Sequence, residues 1–322
     1  MSLKKVVACI KRNKKFLITT HINPEGDALG AELAFYKLIK ALGKKAVIVN
    51  DDDLPYGYDF LPGAKQINYF KPSLKIDFDC FVILDCSDLK RCGDVYKLNK
   101  AKKPVLNIDH HISNPKFGDI NLVDPHASSC SEIIYRIFKQ SHVPFDKETA
   151  ILLYVGILTD TGSFRYSNTS SSTHQAVAEL LKYKIDVSGI YRQLYENKPL
   201  KELTILSKLL QNVRQTKSGK IVWFELCQDT LKDKVLSFDL NERLLTFARS
   251  VKNMEVALIF KEIPGKVPQV KISLRSRGQI DVNKIANFFG GGGHRSASSC
   301  TVAGRIPQVR KKVLAKIREY LK

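Results

Sequence analysis

KFLITTH, residues 15–21, is a short apolar run that ends in a histidine. Its first six residues have the length and composition of a buried strand. Small and apolar residues then follow at helical spacing until Gly43, and AVIV over residues 46–49 predicts the next strand. A strand, a helix and a second strand in this order are typical of a βαβ unit and hence of a parallel sheet. We therefore expect an α/β fold for the N-terminal part of the chain.

Two further apolar runs also end in residues that can bind a metal. Residues 79–84 end at Asp85, and residues 104–108 end at the DHH tripeptide, residues 109–111. Because ligands of open α/β sheets bind beyond the carboxyl ends of the strands, we expect these side chains to meet. Strand alternation would send the two histidines of the tripeptide to opposite sides if the strand continues, whereas both can share one site if the chain turns.

The 322 residues are enough for two domains, each with its own core. The second half predicts an α+β domain, with strands over residues 220–226, 255–261 and 269–275 and helices between and after them, among them one over residues 236–250. We expect a catalytic domain over residues 1–190, a linker and connecting helix over residues 191–214, and a smaller domain over residues 215–322.

Composition excludes some classes of protein and leaves others open. No apolar run reaches the roughly 18 residues of a membrane span, and the apolar start is too short for a signal peptide, so we expect a cytoplasmic protein. Seven cysteines without a C-x-x-C pair predict neither a disulfide framework nor a structural zinc site. The net charge of +20 fits a polyanionic substrate such as a nucleotide, or a lysine-rich surface that serves solubility.

The candidate site residues are carboxylates and imidazoles without thiolates, namely His21, Glu25, Asp27, Asp85, Asp109, His110, His111 and Asp160. Such ligands suit Mn²⁺ or Mg²⁺, with Zn²⁺, Fe²⁺ or Co²⁺ as alternatives. So many acidic groups at one sheet edge would repel each other without cations. Two divalent ions about 4 Å apart, which activate a water for attack on phosphorus, would satisfy that need. The sequence therefore predicts metal-assisted hydrolysis of phosphate esters or anhydrides.

A second candidate region lies near the C-terminus, at Gly290, Gly291, Gly292, Gly293 and His294. Glycines allow positive φ and a close approach of backbone N–H groups to an anion. Arg275 and Arg277 could add bidentate contacts to a phosphate. Taken alone, the glycine run also fits a flexible loop, and the two arginines also fit solvated strand residues.

Five motifs in this order resemble the DHH/DHHA1 phosphoesterase family, and more closely its NrnA-type branch of bifunctional oligoribonucleases and 3′-phosphoadenosine-5′-phosphate (pAp) phosphatases. They are His21-x-x-Pro24-Glu25-x-Asp27, Asp85, Asp109-His110-His111, Asp160 and the glycine run that ends at His294. The resemblance covers essentially the whole chain. It implies a DHH domain, a smaller DHHA1 domain, an active site in the cleft between them, and short RNA, pAp or dinucleotides as substrates. It also makes a homodimer plausible.

The resemblance implies a role for each candidate residue. His21, Glu25 and Asp85 would hold one Mn²⁺ ion, and Asp27, Asp85, His110 and Asp160 the other, with Mg²⁺, Co²⁺ or Fe²⁺ as alternative ions. His111 would act on the substrate as a catalytic residue, and Asp109 would orient the histidines. Arg275, Arg277, the glycine run and His294 would bind the terminal phosphate of the substrate.

Two departures from the family pattern bear on these roles. Glu25 stands where the family usually has Asp, so its metal could be shifted or held more weakly. Residues 296–299 read SASS where the family commonly has an Ala-Ala-Gly-like segment. Small residues are retained there, so we expect the packing to survive.

Other functions remain open at this point. The leading hypothesis is a Mn²⁺-dependent phosphoesterase that cuts short RNA into mononucleotides and pAp into AMP. The nearest alternative is a phosphodiesterase of linear or cyclic dinucleotides of the c-di-AMP type. RecJ-type exonucleases usually carry a further domain, and related pyrophosphatases have a different basic motif. A non-enzymatic alternative is a nucleotide-binding regulator that lacks catalytic activity because Glu25 replaces the usual Asp.

Overall fold

The computed structural model describes residues 3–228, 240–265 and 267–321 of the chain. They fall into two compact units, Met1–Asn197 and Lys198–Lys322. Each unit has its own six-stranded sheet. None of the helices within the described ranges is long and apolar enough to cross a membrane.

Helices and strands alternate along most of the first unit. Its elements are α1 (Leu3–Arg12), β1 (Lys15–Thr19), α2 (Gly26–Ala41), β2 (Lys45–Asn50), a 3₁₀ turn (Ala64–Gln66), β3 (Ile67–Tyr69), β4 (Cys80–Leu84), a kinked 3₁₀ segment (Leu89–Leu98), β5 (Val105–Asp109), β6 (Ile120–Val123), α3 (Cys130–Ser141), α4 (Lys147–Asp160), α5 (Ser171–Leu181), α6 (Val187–Tyr191) and a π turn (Arg192–Glu196).

The sheet of the first unit is entirely parallel, with strand order β3-β2-β1-β4-β5-β6. The chain builds outward from β1 in one direction and then from β4 in the other. The order therefore reverses between β1 and β4, and the carboxyl ends of these two neighbours form a crevice where open α/β sheets place their ligands.

Both faces of this sheet are covered. One face packs under α1 to α5 in a core that contains Phe16, Ile18 and Val82, and the other packs under the 3₁₀ segment in a core that contains Leu17 and Phe81. Because alternate residues of each central strand enter different cores, the strands read as continuous apolar runs, which is typical of buried parallel strands.

The second unit mixes parallel and antiparallel pairing. Its elements are α7 (Leu200–Gln211), β7 (Arg214–Gln215), β8 (Ile221–Leu226), α8 (Leu240–Ser250), β9 (Val256–Ile263), β10 (Gln269–Ser276), α9 (Val282–Phe288), β11 (Gly292–Gly293), β12 (Ala297–Ala303) and α10 (Ile306–Arg318). The strand order is β11-β12-β10-β9-β8-β7, and only the pairing of β8 with β9 is parallel among the described strands.

The sheet of the second unit also has a core on each face. Residues of α9 and α10 pack on one face, around Trp223 and Phe260, and residues of α7 and α8 pack on the other, around Phe224 and Ile259. The α7 helix therefore belongs to the core of the second unit. Its first residue, Leu200, follows the division between the units.

The predicted fold class is confirmed: a parallel α/β unit precedes a smaller α+β unit. The strands that the sequence did not predict are the short ones, including β3 and β6, which are only partly buried and so lack a continuous apolar run. The connecting helix expected to reach residue 214 ends at Gln211, since Arg214 already pairs in β7. The helix expected over residues 236–250 is described from Leu240 onward, and its first residues lie outside the described residues.

Candidate metal centre

The histidine and carboxylates predicted at the strand ends lie at the topological switch point. His21 comes two residues after β1, Asp85 directly follows β4, and Asp109 is the last residue of β5. All three side chains are buried. Asp85 has a φ of 53°, a left-handed conformation that Asp tolerates better than most residues and that turns the chain sharply at the end of β4.

Three imidazoles surround the carboxylate of Asp85. Its Oδ2 atom lies 3.5 Å from Nε2 of His21. Its Oδ1 atom lies 3.4 Å from Nε2 of His110 and 3.7 Å from Nδ1 of His111. Both histidines of the DHH tripeptide thus face one site, because β5 ends at Asp109 and the chain turns there. Of the two arrangements that the sequence left open, the shared site is the one found.

His110 links Asp85 to two further carboxylates. Its Nε2 atom lies 3.6 Å from Oδ2 of Asp160 and 3.9 Å from Oδ2 of Asp27. Asp27, His110 and Asp160 can present ligand atoms within 4.8 Å of one another, and so can Asp85, Asp109, His110 and His111. We call His21, Asp27, Asp85, His110, His111 and Asp160 the Asp85 cluster.

Asp27 is held by the N-terminus of a helix. Its Oδ2 accepts a hydrogen bond from the backbone N–H of Cys130 at 2.6 Å, and its Oδ1 accepts one from the N–H of Ser131 at 2.8 Å. These are the first two amides of α3, where unpaired N–H groups and the helix dipole favour a negative charge. This contact was not predicted, because the donors lie more than a hundred positions away from Asp27 along the chain.

Asp109 holds His111 and is itself held by a buried asparagine. Its Oδ1 accepts a hydrogen bond from Nδ1 of His111 at 2.7 Å, and its Oδ2 accepts one from Nδ2 of Asn114 at 2.6 Å. Asn114 also donates to Oδ1 of Asn107 at 2.8 Å. With Nδ1 of His111 acting as the donor, the lone pair of the neutral ring is on Nε2. The hydrogen bond to His111 is the contact through which Asp109 would orient that ring, and this role stays a prediction. The two asparagines beside Asp109 were not among the predicted residues.

Asp160 is the last residue of α4 and is bonded to the loop that follows. Nδ2 of Asn168 donates to the carbonyl oxygen of Asp160 at 3.1 Å and lies 3.4 Å from its Oδ2. The side chain of Asp160 is 32% exposed, the most open carboxylate of the Asp85 cluster. Asn168 was likewise absent from the predicted site, and nothing in its sequence neighbourhood marked it.

Glu25 takes a different position from the other predicted ligands. It is the N-cap residue of α2, it makes no side-chain capping bond, and its side chain is exposed. It belongs to neither of the two ligand groups within the first unit, as far as the described residues go. The structure thus brings together six of the predicted metal and catalytic residues with Asp109 beside them. Glu25 is exposed at the rim of this group, where its charge acts on Asp160.

The ionisable groups of the Asp85 cluster shift one another's pKa values. Burial and the charge of Asp85 raise the pKa of Asp27 to about 6. Burial also raises the pKa of Asp160 well above its usual value. Burial alone would lower the pKa of His110, but the carboxylates of Asp160, Asp85 and Asp27 raise it well above 6.5. Against the effect of burial, the imidazoles hold the pKa of Asp85 well below its usual range. A divalent cation bound here would displace protons from these groups.

The donor set of the Asp85 cluster fits divalent cations. Oδ1 of Asp85 is buried and accepts no hydrogen bond. Nδ1 of His21 lies 2.8 Å from the carbonyl oxygen of Ile22 and donates to it, so Nε2 is the ring nitrogen that faces Asp85 and is the one available to a metal. Oxygen and imidazole ligands are those that Mn²⁺ accepts.

The glycine run of the second unit is largely bound to its own backbone. The N–H of Gly290 donates to the carbonyl of Asn287 at 3.0 Å, and that of Gly291 donates to the carbonyl of Ala286 at 2.8 Å. With Gly290 at a φ of 77°, this is the Schellman pattern that ends α9. These two amides therefore bond helix carbonyls and do not bind an anion, which corrects the prediction for the first half of the run. For Gly292, Gly293 and His294 that role stays a prediction.

The other half of the glycine run forms a tight hairpin. Gly292 and Gly293 are β11 and pair with Ser299 and Ser298 of β12. The N–H of His294 donates to the carbonyl of Ala297 at 2.7 Å, which closes the turn. The small residues of the SASS segment are thus the partner strand of the glycines, and the expected tight packing is observed.

The two predicted phosphate-binding arginines have different surroundings. Arg275 lies within β10 and forms an ion pair with Glu242 of α8. Arg277 follows β10, and its Nη2 donates to the carbonyls of Arg249 at 2.8 Å and Val251 at 3.2 Å, at the end of α8. Arg277 therefore has a structural role in binding the last carbonyls of a helix, and Arg275 is the better candidate for a substrate contact.

Comparisons with protein families and solved structures identify the class of protein to which this chain is similar. Residues 15–157 match the model of the DHH family N-terminal domain, and residues 234–322 match that of the DHHA1 domain. An exopolyphosphatase-related protein from Bacteroides fragilis has a similar structure, with a TM-score of 0.87, 26% identity, and coverage of 99% of this chain and 97% of that one.

Two curated relatives are similar over nearly their whole length. The bifunctional oligoribonuclease and PAP phosphatase NrnA of Thermus thermophilus is 32% identical, with coverage of 94% of this chain and 89% of the relative. The probable bifunctional oligoribonuclease and PAP phosphatase NrnA of Streptococcus mutans is 30% identical, with coverage of 92% of both chains. The chain belongs to the DHH/DHHA1 family, and within it to the group that contains these NrnA proteins. The resemblance read from the five motifs is confirmed.

Proposed function

We propose that this protein is a metal-dependent phosphoesterase that hydrolyses short oligoribonucleotides to mononucleotides and pAp to AMP. The observation that carries the proposal is the convergence of His21, His110 and His111 on the buried carboxylate of Asp85 at the switch point of the sheet. The substrates come from the names of the two NrnA relatives, which are similar over nearly the full chain.

Two divalent cations, with Mn²⁺ as the first candidate, would occupy the Asp85 cluster. His21 and Asp85, with Glu25 at the rim, would hold one ion. Asp27, Asp85, His110 and Asp160 would hold the other, and Asp85 would be common to both. When bound, such ions supply an activated water and neutralise the negative charge of a phosphate group.

The residues of the first unit would then act on the phosphate ester. Asp109 accepts a hydrogen bond from Nδ1 of His111 and so fixes the ring, which leaves Nε2 as the nitrogen that would exchange a proton with, or donate a hydrogen bond to, the substrate. Asn114 holds the other oxygen of Asp109, so the carboxylate cannot rotate away from the ring. Asp109 is fully buried and the side chain of His111 is 15% exposed, so most of the imidazole is shielded from solvent.

The second unit would supply contacts to the terminal phosphate of the substrate. Arg275 carries the positive charge suited to that contact. Gly292 and Gly293 pack closely against β12, and the imidazole of His294 follows them in the chain. The net charge of +20 favours the approach of anionic substrates to the protein as a whole.

A substrate panel tests the proposed function. The protein is freed of metal with a chelator, supplied with Mn²⁺, and incubated with pAp, with RNAs of two to five nucleotides, with c-di-AMP and with pyrophosphate. We expect release of mononucleotides from the RNAs and of AMP from pAp, and no turnover with the chelator present. Failure to hydrolyse any of these compounds would refute an enzymatic role. Cleavage of c-di-AMP or pyrophosphate alone would replace the proposed substrates by those compounds.

A further inference from the structure

We propose that Glu132, a buried glutamate of α3, is a positioning residue that holds the metal carboxylates Asp27 and Asp160 in place. The inference rests on the metal assignment of the proposed function. Glu132 contacts neither carboxylate directly. It acts through two chains of hydrogen bonds, one to each.

Glu132 receives five hydrogen bonds although only 1% of its surface is exposed. Its Oε2 accepts from the N–H of Ser128 at 3.0 Å, from the hydroxyl of Ser128 at 2.6 Å and from that of Thr173 at 3.1 Å. Its Oε1 accepts from the hydroxyl of Ser172 at 3.0 Å and from the guanidinium of Arg136. A buried carboxylate is costly unless its oxygens are bonded, so this set of donors fixes Glu132 in one position.

The first chain leads from Glu132 to Asp27. The N–H of Glu132 donates to the hydroxyl of Ser129, the N-cap of α3, while its carboxylate reaches back to the N–H of Ser128. This reciprocal pair fixes the entry of the chain into α3 in the manner of a capping box. The next two amides of the helix, those of Cys130 and Ser131, are the donors to Asp27.

The second chain leads from Glu132 to Asp160. The carbonyl oxygen of Ser128 accepts a hydrogen bond from Nδ2 of Asn168 at 2.8 Å. The same amide group donates to the backbone carbonyl of Asp160 and approaches its carboxylate. Glu132 also holds Ser172 and Thr173 at the start of α5, a few residues after Asn168, so both ends of this connection are fixed.

Both chains end on carboxylates assigned to the same metal ion. A carboxylate that serves only stability would have no reason to affect one of two ions more than the other. If Glu132 positions Asp27 and Asp160, loss of Glu132 should weaken the binding of the ion that these two carboxylates share with His110. The binding of the ion held by His21 should be nearly unchanged. Partners of metal ligands typically contribute about ten- to a hundredfold to metal affinity.

The test is Mn²⁺ binding to the metal-free protein, measured by titration calorimetry and by the signal of unbound Mn²⁺ in electron paramagnetic resonance, without substrate. The variant is Glu132→Gln, which keeps the shape of the side chain but removes its charge and replaces one acceptor with a donor. The matched control is Asp124→Asn. Asp124 is the other carboxylate partner of Arg136, at 2.6 Å, and so its substitution also removes one ion pair from that guanidinium.

We expect Glu132→Gln to weaken one of the two bound ions by at least about tenfold, and Asp124→Asn to match the wild type. Equal Mn²⁺ binding by wild type and Glu132→Gln would overturn the inference, and so would equal weakening of both ions. If Glu132→Gln does not fold, Asn168→Ala decides, since it cuts the second chain alone and should weaken the same ion. Unchanged binding in that variant would overturn the inference. A wild type that binds no Mn²⁺ would instead refute the metal assignment of the proposed function and the inference with it.

Discussion

The Asp85 cluster and the glycine run were both identified from sequence motifs, but the motif residues have different roles in the two regions. In the Asp85 cluster the backbone is fixed by the sheet and by helix ends, and the motif side chains point at one another. In the glycine run the motif residues serve the path of the chain, since Gly290 and Gly291 end a helix and Gly292 and Gly293 pair in a hairpin. A motif can therefore bring side chains together in one unit and set the backbone geometry in the other.

The largest expected effect comes from breaking the Asp85 cluster at its centre. Asp85→Asn keeps the shape of the side chain and tolerates the left-handed backbone, but it removes the negative charge that both proposed ions share. Losing several kcal/mol of electrostatic stabilisation should reduce kcat/KM by roughly a thousandfold or more. Steady-state hydrolysis of a dinucleotide measures this, and bound Mn²⁺ should fall in parallel. Asp124→Asn is the control, and retention of full activity in Asp85→Asn would remove Asp85 from the site.

The glycine run offers a contrasting test, in which stability changes more than chemistry. A Cβ atom on Gly291 would lie 2.1 Å from the carbonyl oxygen of Ser299, whereas one on Gly290 would meet nothing within 4 Å. Gly291→Ala should therefore destabilise the second unit by several kcal/mol, and Gly290→Ala by only about 1 kcal/mol for its positive φ. Trp223 is the single tryptophan and lies in β8, so its fluorescence during denaturant unfolding reports on this unit. Equal destabilisation by the two variants would contradict the packing described for Gly291.

The fold of the first unit and the position of its candidate site could be predicted from the sequence, because they depend on local sequence patterns. Continuous apolar runs that end at His21, Asp85 and Asp109 were enough to predict a parallel sheet with a site at its carboxyl edge. The amides that hold Asp27 and the asparagines beside Asp109 could not be predicted, since they depend on contacts between elements far apart in the chain. The roles of Gly290 and Gly291 were missed for a related reason: the same glycines suit an anion-binding loop and a helix C-terminus equally well.

A smaller effect should separate the two arginines of the second unit. Arg275→Ala removes a charge proposed to meet the terminal phosphate, so KM for pAp should rise by about tenfold, and the lost ion pair with Glu242 should lower the melting temperature as well. Arg277→Ala removes two hydrogen bonds to the end of α8, so the melting temperature should fall while KM stays nearly constant. Steady-state kinetics and thermal unfolding on both variants provide the comparison. The opposite pattern would exchange the roles of the two residues.

The smallest expected effect lies at Glu25, the predicted ligand that the structure leaves at the rim of the Asp85 cluster. Glu25→Asp installs the residue usual in the family, one methylene shorter and better suited to the N-cap position it occupies. Because the side chain is exposed and lies outside both ligand groups, Mn²⁺ affinity should change by less than about threefold, or 0.7 kcal/mol. Calorimetric titration of the metal-free variant measures it, with Glu148→Asp, an exposed glutamate at the start of α4, as the control. Tightening of one ion by more than tenfold would show that Glu25 reaches the metal directly, and that its extra methylene weakens the site in this chain.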